Sequence, residues 1–287
     1  MRLMKNSLIC VIYDSITQAI TESQVITPLT KRAIANKHDQ IIIISFEKKI
    51  TEKTNTTIQK LSQNYPLVTC VLFKRPPFLG KLFLWQQAVQ LKNFLRTLVS
   101  SYTLIARGPF ATLIAKQGIT HDCLSLIAQA RGAAFQEYLY TTSHKTKISQ
   151  LPCLARAAQL YDLEKTAYKA LKHKNTHFFV ESVSPALTLY LQTTYQTSAS
   201  FIPALFDLPE PLSTKKRESY RSTVRSQLAI DQHAPVYAYN GSLKLWQCPQ
   251  ETLQFFKQEW KKNKKDKYKA KKNGESTIVQ EQFSHRT

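Results

Sequence analysis

Four consecutive isoleucines, Ile41 to Ile44, lie inside the apolar run 40–46. A β-branched run without polar alternation can bury both of its faces only inside a parallel sheet covered by helices on each side. Comparable short runs recur at 8–13 and 67–73, with further strands expected at 102–106, 125–129, 177–181 and 200–205. Longer stretches between them, at 23–37, 81–99, 132–140, 154–173 and 185–195, carry the helical period. In 81–99, for instance, Leu84, Ala88, Leu91, Leu95 and Leu98 fall on one side. This alternation predicts an α/β fold, a Rossmann-like parallel sheet with helices on both faces.

A second unit is expected from about Leu212. It comprises a helix through Arg217, Arg221 and Leu228, a strand at 235–240, the turn Gly241-Ser242-Leu243-Lys244, and a helix at 250–260 with Leu253, Phe256 and Trp260 at helical spacing. Eight of the twelve residues 261–272 are lysine and the apolar period stops, so a basic disordered tail is expected over 261–287. The expected organisation is a Rossmann-like domain over 1–211, a linker helix and first βα unit over 212–260, and the tail.

A net charge of +21 attracts anions at low salt whatever the fold, without choosing among nucleic acid, an anionic membrane face and phosphorylated or lipid-linked substrates. Six glycines in 287 residues are few for a chain that cradles phosphate with bare backbone, which disfavours a Walker-type loop. The five cysteines, Cys10, Cys70, Cys123, Cys153 and Cys248, form no CxxC pair and sit mostly in apolar runs, as buried thiols of a reducing, cytoplasmic compartment do. The seven histidines offer no pair at metal-ligand spacing on a helix face, so neither a metal nor a cofactor is expected. No apolar stretch approaches the roughly 18 residues of a membrane span, which leaves peripheral contact with an anionic membrane as the expected mode. The loop 74–79, Lys-Arg-Pro-Pro-Phe-Leu, suits such docking or a plain rigid turn.

Several strings follow the expected strands in order: Tyr13-Asp14-Ser15 with Glu22-Ser23-Gln24, Ile105-Ala106-Arg107-Gly108-Pro109, and Ala130-Arg131-Gly132 running on to Glu137-Tyr138. Val183-Ser184-Pro185, Phe201-Ile202-Pro203 and Tyr239-Asn240-Gly241-Ser242-Leu243-Lys244 continue the series. Up to about residue 257 the chain resembles the family-4 glycosyltransferases of the GT-B fold. The resemblance implies transfer of a hexosyl group from a nucleotide sugar to a glycan or lipid-linked acceptor, in polysaccharide or lipid-linked glycan assembly, with the N-terminal domain holding the acceptor and no metal required. Basic side chains and helix N-termini would stabilise the leaving nucleotide diphosphate. The chain departs from the family where Thr17 to Thr21 replace loop glycines and where Gln129 stands in place of an aspartate. The acidic nucleotide-sugar motif of the donor half is not found after Trp246. The expectation is therefore a truncated, inactive form that needs a complete donor domain to engage a nucleotide sugar.

Glu22, Ser23, Gln24, Arg107, Arg131 and Glu137 are the candidate acceptor-binding residues, and Ser184, Asn240, Gly241 and Lys244 the candidate cleft-lining ones. No catalytic residue is assigned. Each has a plain structural counterpart: Ser23 as a helix N-cap, Glu22 at a helix's positive end, Ser184 as a cap before Pro185, Arg107 in an ion pair, and Arg131 with Glu137 orienting each other. The alternative function is a basic membrane-surface or nucleic-acid binding protein without catalysis, although no recognised module for specific nucleic-acid binding occurs.

Overall fold

The isoleucine run forms β2 (Gln40–Glu47), second from one edge of a seven-stranded, wholly parallel sheet. In this computed structural model the described residues are 6–18, 21–76, 81–98, 100–142, 147–171, 175–202, 213–234, 236 and 249–272. The other strands are β1 (Ser7–Ile12), β3 (Val68–Lys74), β4 (Tyr102–Arg107), β5 (Cys123–Ala130), β6 (His177–Ser182) and β7 (Ala199–Phe201), in the order β3-β2-β1-β4-β5-β6-β7. This is the Rossmann order extended by one short strand.

All six residues of β1 are buried, and they alternate between two separate cores. Leu8, Cys10 and Ile12 join Val25, Ile26, Leu29 and Ala33 on one face, while Ile9 and Val11 meet Leu91, Leu104 and Ile114 on the other. A side-chain period of two therefore explains why the strand after Ser7 is apolar on both sides. On the first face lie a helical turn over Glu22–Ile26, α1 (Thr27–Ala35) and α2 (Glu52–Asn64). The second face is covered by α3 (Lys81–Leu95), α4 (Gly108–Gly118), α6 (Lys147–Tyr168) and α7 (Pro185–Tyr195); α5 (Ala134–Thr142) packs on α6.

α2 and α4 were not legible as helices. α2 is polar apart from Ile58 and Leu61, and Thr51 starts it with a capping box to Thr54. α4 is buried nearly all round, between α3 and α6, so it shows no stripe. Its last residue, Gly118, packs so closely that a Cβ there would stand 2.8 Å from the Ala88 carbonyl oxygen.

The first compact unit ends at Phe206, five residues before the expected boundary, and the second spans Asp207–Thr287. The second contains α8 (Thr214–Gln227), capped by Ser213 and with no buried residue, and α9 (Pro249–Lys272). α9 carries the lysine run 261–272 in a helix, where lysine loses little side-chain freedom and no glycine or proline interrupts it; residues 273–287 of the expected tail fall outside the described residues. The strand expected at 235–240 and the turn after it fall outside the described residues, save Val236. Among the described residues no helix is long and apolar enough to cross a membrane.

Candidate functional site

Strand order reverses at β1, whose neighbours are β2 and β4. The chain leaves β1 toward α1 on one face and leaves β4 toward α4 on the other, which opens a crevice at the carboxyl ends of the strands. The loop after β1 is pinned by side chains where the family resemblance calls for glycine. Buried Glu47, ending β2, accepts from the Ile16 N–H (2.7 Å) and the Ser45 hydroxyl (2.6 Å). From β3's end, Arg75 donates to the Tyr13 carbonyl at 2.6 Å and lies 4.6 Å from the centre of the Tyr13 ring. Arg75 is thereby a strut of the rim, and residues 77–80 of its loop lie outside the described ones.

The turn Glu22–Ile26 is a π-helical one, closed by the Thr27 N–H on the Glu22 carbonyl. Such turns widen a helix locally and recur at functional sites. This one sets Gln24 between two arginines from adjacent strands. Arg107, the last residue of β4, donates to the Gln24 carbonyl (2.9 Å) and to its Oε1 (3.1 Å). Arg131, one residue past β5, donates to the same Oε1 at 2.7 Å. Gly108, the first residue of α4, follows Arg107 with φ +82°, a left-handed conformation that glycine adopts without strain, and Pro109 comes next in the first turn.

A cavity of about 330 Å³ opens here, lined among others by Asp14, Gln24, Arg107, Arg131, Gly132 and Glu137. A second, of about 240 Å³, shares Gln24, Val25, Arg107 and Arg131 with it and reaches Arg32 and Glu181. Burial lowers the pKa of both rim arginines, and burial with the neighbouring Arg107 charge brings Arg131 to about 10. Arg32 is neutralised instead, by a two-bond pair with buried Glu181 (3.0 and 2.8 Å). Gln129 donates to Glu181 at 3.3 Å, so the amide found where the resemblance calls for an acid supports this pair.

α5 begins just beyond Arg131 and is anchored by Glu164, a buried residue of α6. Its carboxylate accepts from Ala134 N–H (2.8 Å), Phe135 N–H (3.0 Å) and the Tyr195 hydroxyl (2.9 Å). Desolvation nonetheless outweighs these bonds and raises the Glu164 pKa. One turn into α5, Glu137 arches back over Gly132, where a Cβ would stand 2.3 Å from its Oε1.

The structure thus brings Gln24, Arg107, Arg131 and Glu137 to one cavity. It corrects three local readings. Ser23 is not an N-cap, because the turn enters through Thr21 in helical geometry with no side-chain cap. Arg107 makes no ion pair within 4.0 Å among the described residues, and Arg131 bonds Gln24 in place of Glu137. Glu22 accepts from the Tyr65 hydroxyl at 3.0 Å, and neither Glu22 nor Ser23 lines either of these two cavities. Ser184 caps α7, accepting from Leu187 N–H at 3.1 Å, and lines neither cavity. Asn240, Gly241 and Lys244 lie outside the described residues. Asp14 and Glu164 are the residues the sequence reading missed. Asp14 had a signal, following β1 directly; Glu164 had none.

The four described cysteines are thiols, Cys70 half-buried and the rest buried, and burial pushes Cys10 and Cys123 up to about 12. Among the described residues no three His, Cys, Asp or Glu side chains are grouped to hold a metal ion. Fold and site together define a Rossmann-like α/β unit with an arginine-bearing cleft at its strand-order reversal. Comparison of the sequence with protein-family models and with curated proteins finds no match.

Proposed function

We propose that the Met1–Phe206 unit is the acceptor-binding half of a GT-B-type glycosyltransferase, one that passes a hexosyl group from a nucleotide sugar to a glycan or lipid-linked acceptor. One observation carries this reading. Four of the residues that follow successive strands in the family-like strings, Gln24, Arg107, Arg131 and Glu137, converge on one cavity at the carboxyl rim.

The cavity's chemistry suits a sugar. Asp14 and Glu137 can accept hydrogen bonds from hydroxyls, the Gln24 amide can both donate and accept, and the two guanidiniums supply fixed positive charge. Transfer itself also requires a donor-binding wall. Among the described residues, Asp207–Thr287 contributes the helices α8 and α9.

Saturation-transfer NMR with a panel of free and lipid-linked oligosaccharides tests the acceptor role, and release of nucleotide diphosphate from a panel of nucleotide sugars tests transfer. At least one glycan is expected to bind wild type and to weaken about tenfold or more in Glu137→Gln, the loss of a hydrogen bond to a charged acceptor. Binding of no glycan, or glycan binding untouched by substitutions throughout the cavity, would refute the proposal.

A further inference from the structure

We infer that Arg107 and Arg131 form a subsite for a phosphate monoester, so that the acceptor is a sugar bearing a terminal phosphate; this specification of the substrate rests on the acceptor-binding reading above. The two arginines carry more donors than their partner takes up, and no described carboxylate touches either. Each guanidinium carries five N–H donors. Arg107 uses two of them and Arg131 one, all on the neutral Gln24, and neither has a carboxylate within 4.0 Å among the described residues. Arg32 on the same rim shows the contrary arrangement: part-buried, it is neutralised by Glu181. Two cations drawn out of water beside each other, with Asp14 and Glu137 in the same cavity but no described carboxylate in direct contact, gain further from an anion that touches both.

Geometry favours a tetrahedral dianion. A nitrogen of each arginine lies within about 3 Å of one atom, Gln24 Oε1, so the two nitrogens are at most about 6 Å apart, a span that two oxygens of one phosphate can bridge. A phosphate monoester carries a charge of about −1.5 to −2 at neutral pH and can neutralise both guanidiniums, whereas a carboxylate neutralises one. Asp14 and Glu137 line the same cavity outside ion-pairing distance of the arginines. They would repel a bare phosphate placed beside them, yet they match the hydroxyls of a sugar attached to it.

The test is calorimetric titration of the full chain with inorganic phosphate, glucose 6-phosphate and glucose at constant ionic strength, for wild type, Arg131→Gln and Gln24→Glu. Gln24→Glu is the decisive variant, because it places a carboxylate where both arginines already converge. Wild type is expected to bind phosphate at one saturable site and glucose 6-phosphate more tightly than either part alone. Both variants should lose about tenfold or more, the effect of removing or pre-empting a charge-assisted contact. Gln24→Glu should also melt at or above the wild-type temperature. Phosphate binding that is non-saturable, or equal in wild type and Gln24→Glu, would assign it to the general +21 charge and overturn the subsite; a lowered melting temperature for Gln24→Glu would overturn the charge imbalance itself. An unphosphorylated glycan that binds where phosphate does not removes this inference and leaves the acceptor-binding reading standing. Saturable phosphate binding without binding of any glycan or sugar phosphate leaves the phosphate site standing and removes the acceptor reading, and with it the assignment of a phosphorylated acceptor.

Discussion

Replacing Glu164 by alanine removes the acceptor of three hydrogen bonds at once: two from the first turn of α5 and one from the buried Tyr195 hydroxyl. A buried donor left without a partner costs about 1–3 kcal/mol. Ala134 and Phe135 are only half-buried, so water can take over part of the backbone loss, and the Tyr195 hydroxyl can turn to the Tyr190 hydroxyl, 3.2 Å away, which reduces its cost as well. Against this stands relief from desolvating a carboxylate at 1% exposure, the main cause of its raised pKa. The balance is a loss of about 1–3 kcal/mol, which in a unit of this size lowers the melting temperature by roughly 2–12 °C. The pH dependence has a definite sign. With the folded pKa above the unfolded one, the unfolded state ionises first as pH rises. The Glu164 contribution is therefore fullest below the unfolded carboxylate pKa and declines as pH climbs through the folded value. Differential scanning calorimetry of wild type, Glu164→Ala and Glu164→Gln between acidic and neutral pH measures both effects. A Glu164→Ala protein as stable as wild type, or a wild-type advantage over Glu164→Gln that grows with rising pH, would refute the reasoning.

Two glycines separate stability from binding. Gly118→Ala forces a Cβ against the Ala88 carbonyl at 2.8 Å and the Leu91 side chain at 3.1 Å, so overpacking of α3 on α4 should lower stability by about 1–2 kcal/mol in urea denaturation. Gly132→Ala meets only the flexible end of Glu137, so stability should stay within about 0.5 kcal/mol. Glu137 must swing away, however, and glycan binding measured by saturation-transfer NMR should fall.

The sheet was legible because its signal is local. A doubly buried strand carries its own β-branched run, and six of the seven expected strands of the first unit agree with the structure to within two residues; β7 is described only as Ala199–Phe201. Helices with a clear stripe, such as α3, were equally visible, whereas α4 was hidden by being buried all round and α2 by its polarity. The candidate site divides in the same way. Arg107 and Arg131 could be placed at strand ends from sequence, but their convergence depends on the pairing of β4 with β5, which sets Arg107 opposite Gln129 and so brings Arg131 to the rim two residues on. The role of Gln24 depends on a π-helical turn that no residue of Glu22–Ile26 announces. Glu164 acts across thirty residues of chain, from the middle of one helix onto the start of another, and only tertiary packing reveals it.

The claim on which the rest depends is that ligand is held where β1, β4 and β5 end. Hydrogen–deuterium exchange of the full chain, with and without a glycan acceptor or glucose 6-phosphate at saturating concentration, tests it directly. Protection confined to the loop after β1, the turn Glu22–Ile26 and the starts of α4 and α5 is the predicted result. Protection on α8 or α9 with none at that rim would contradict it.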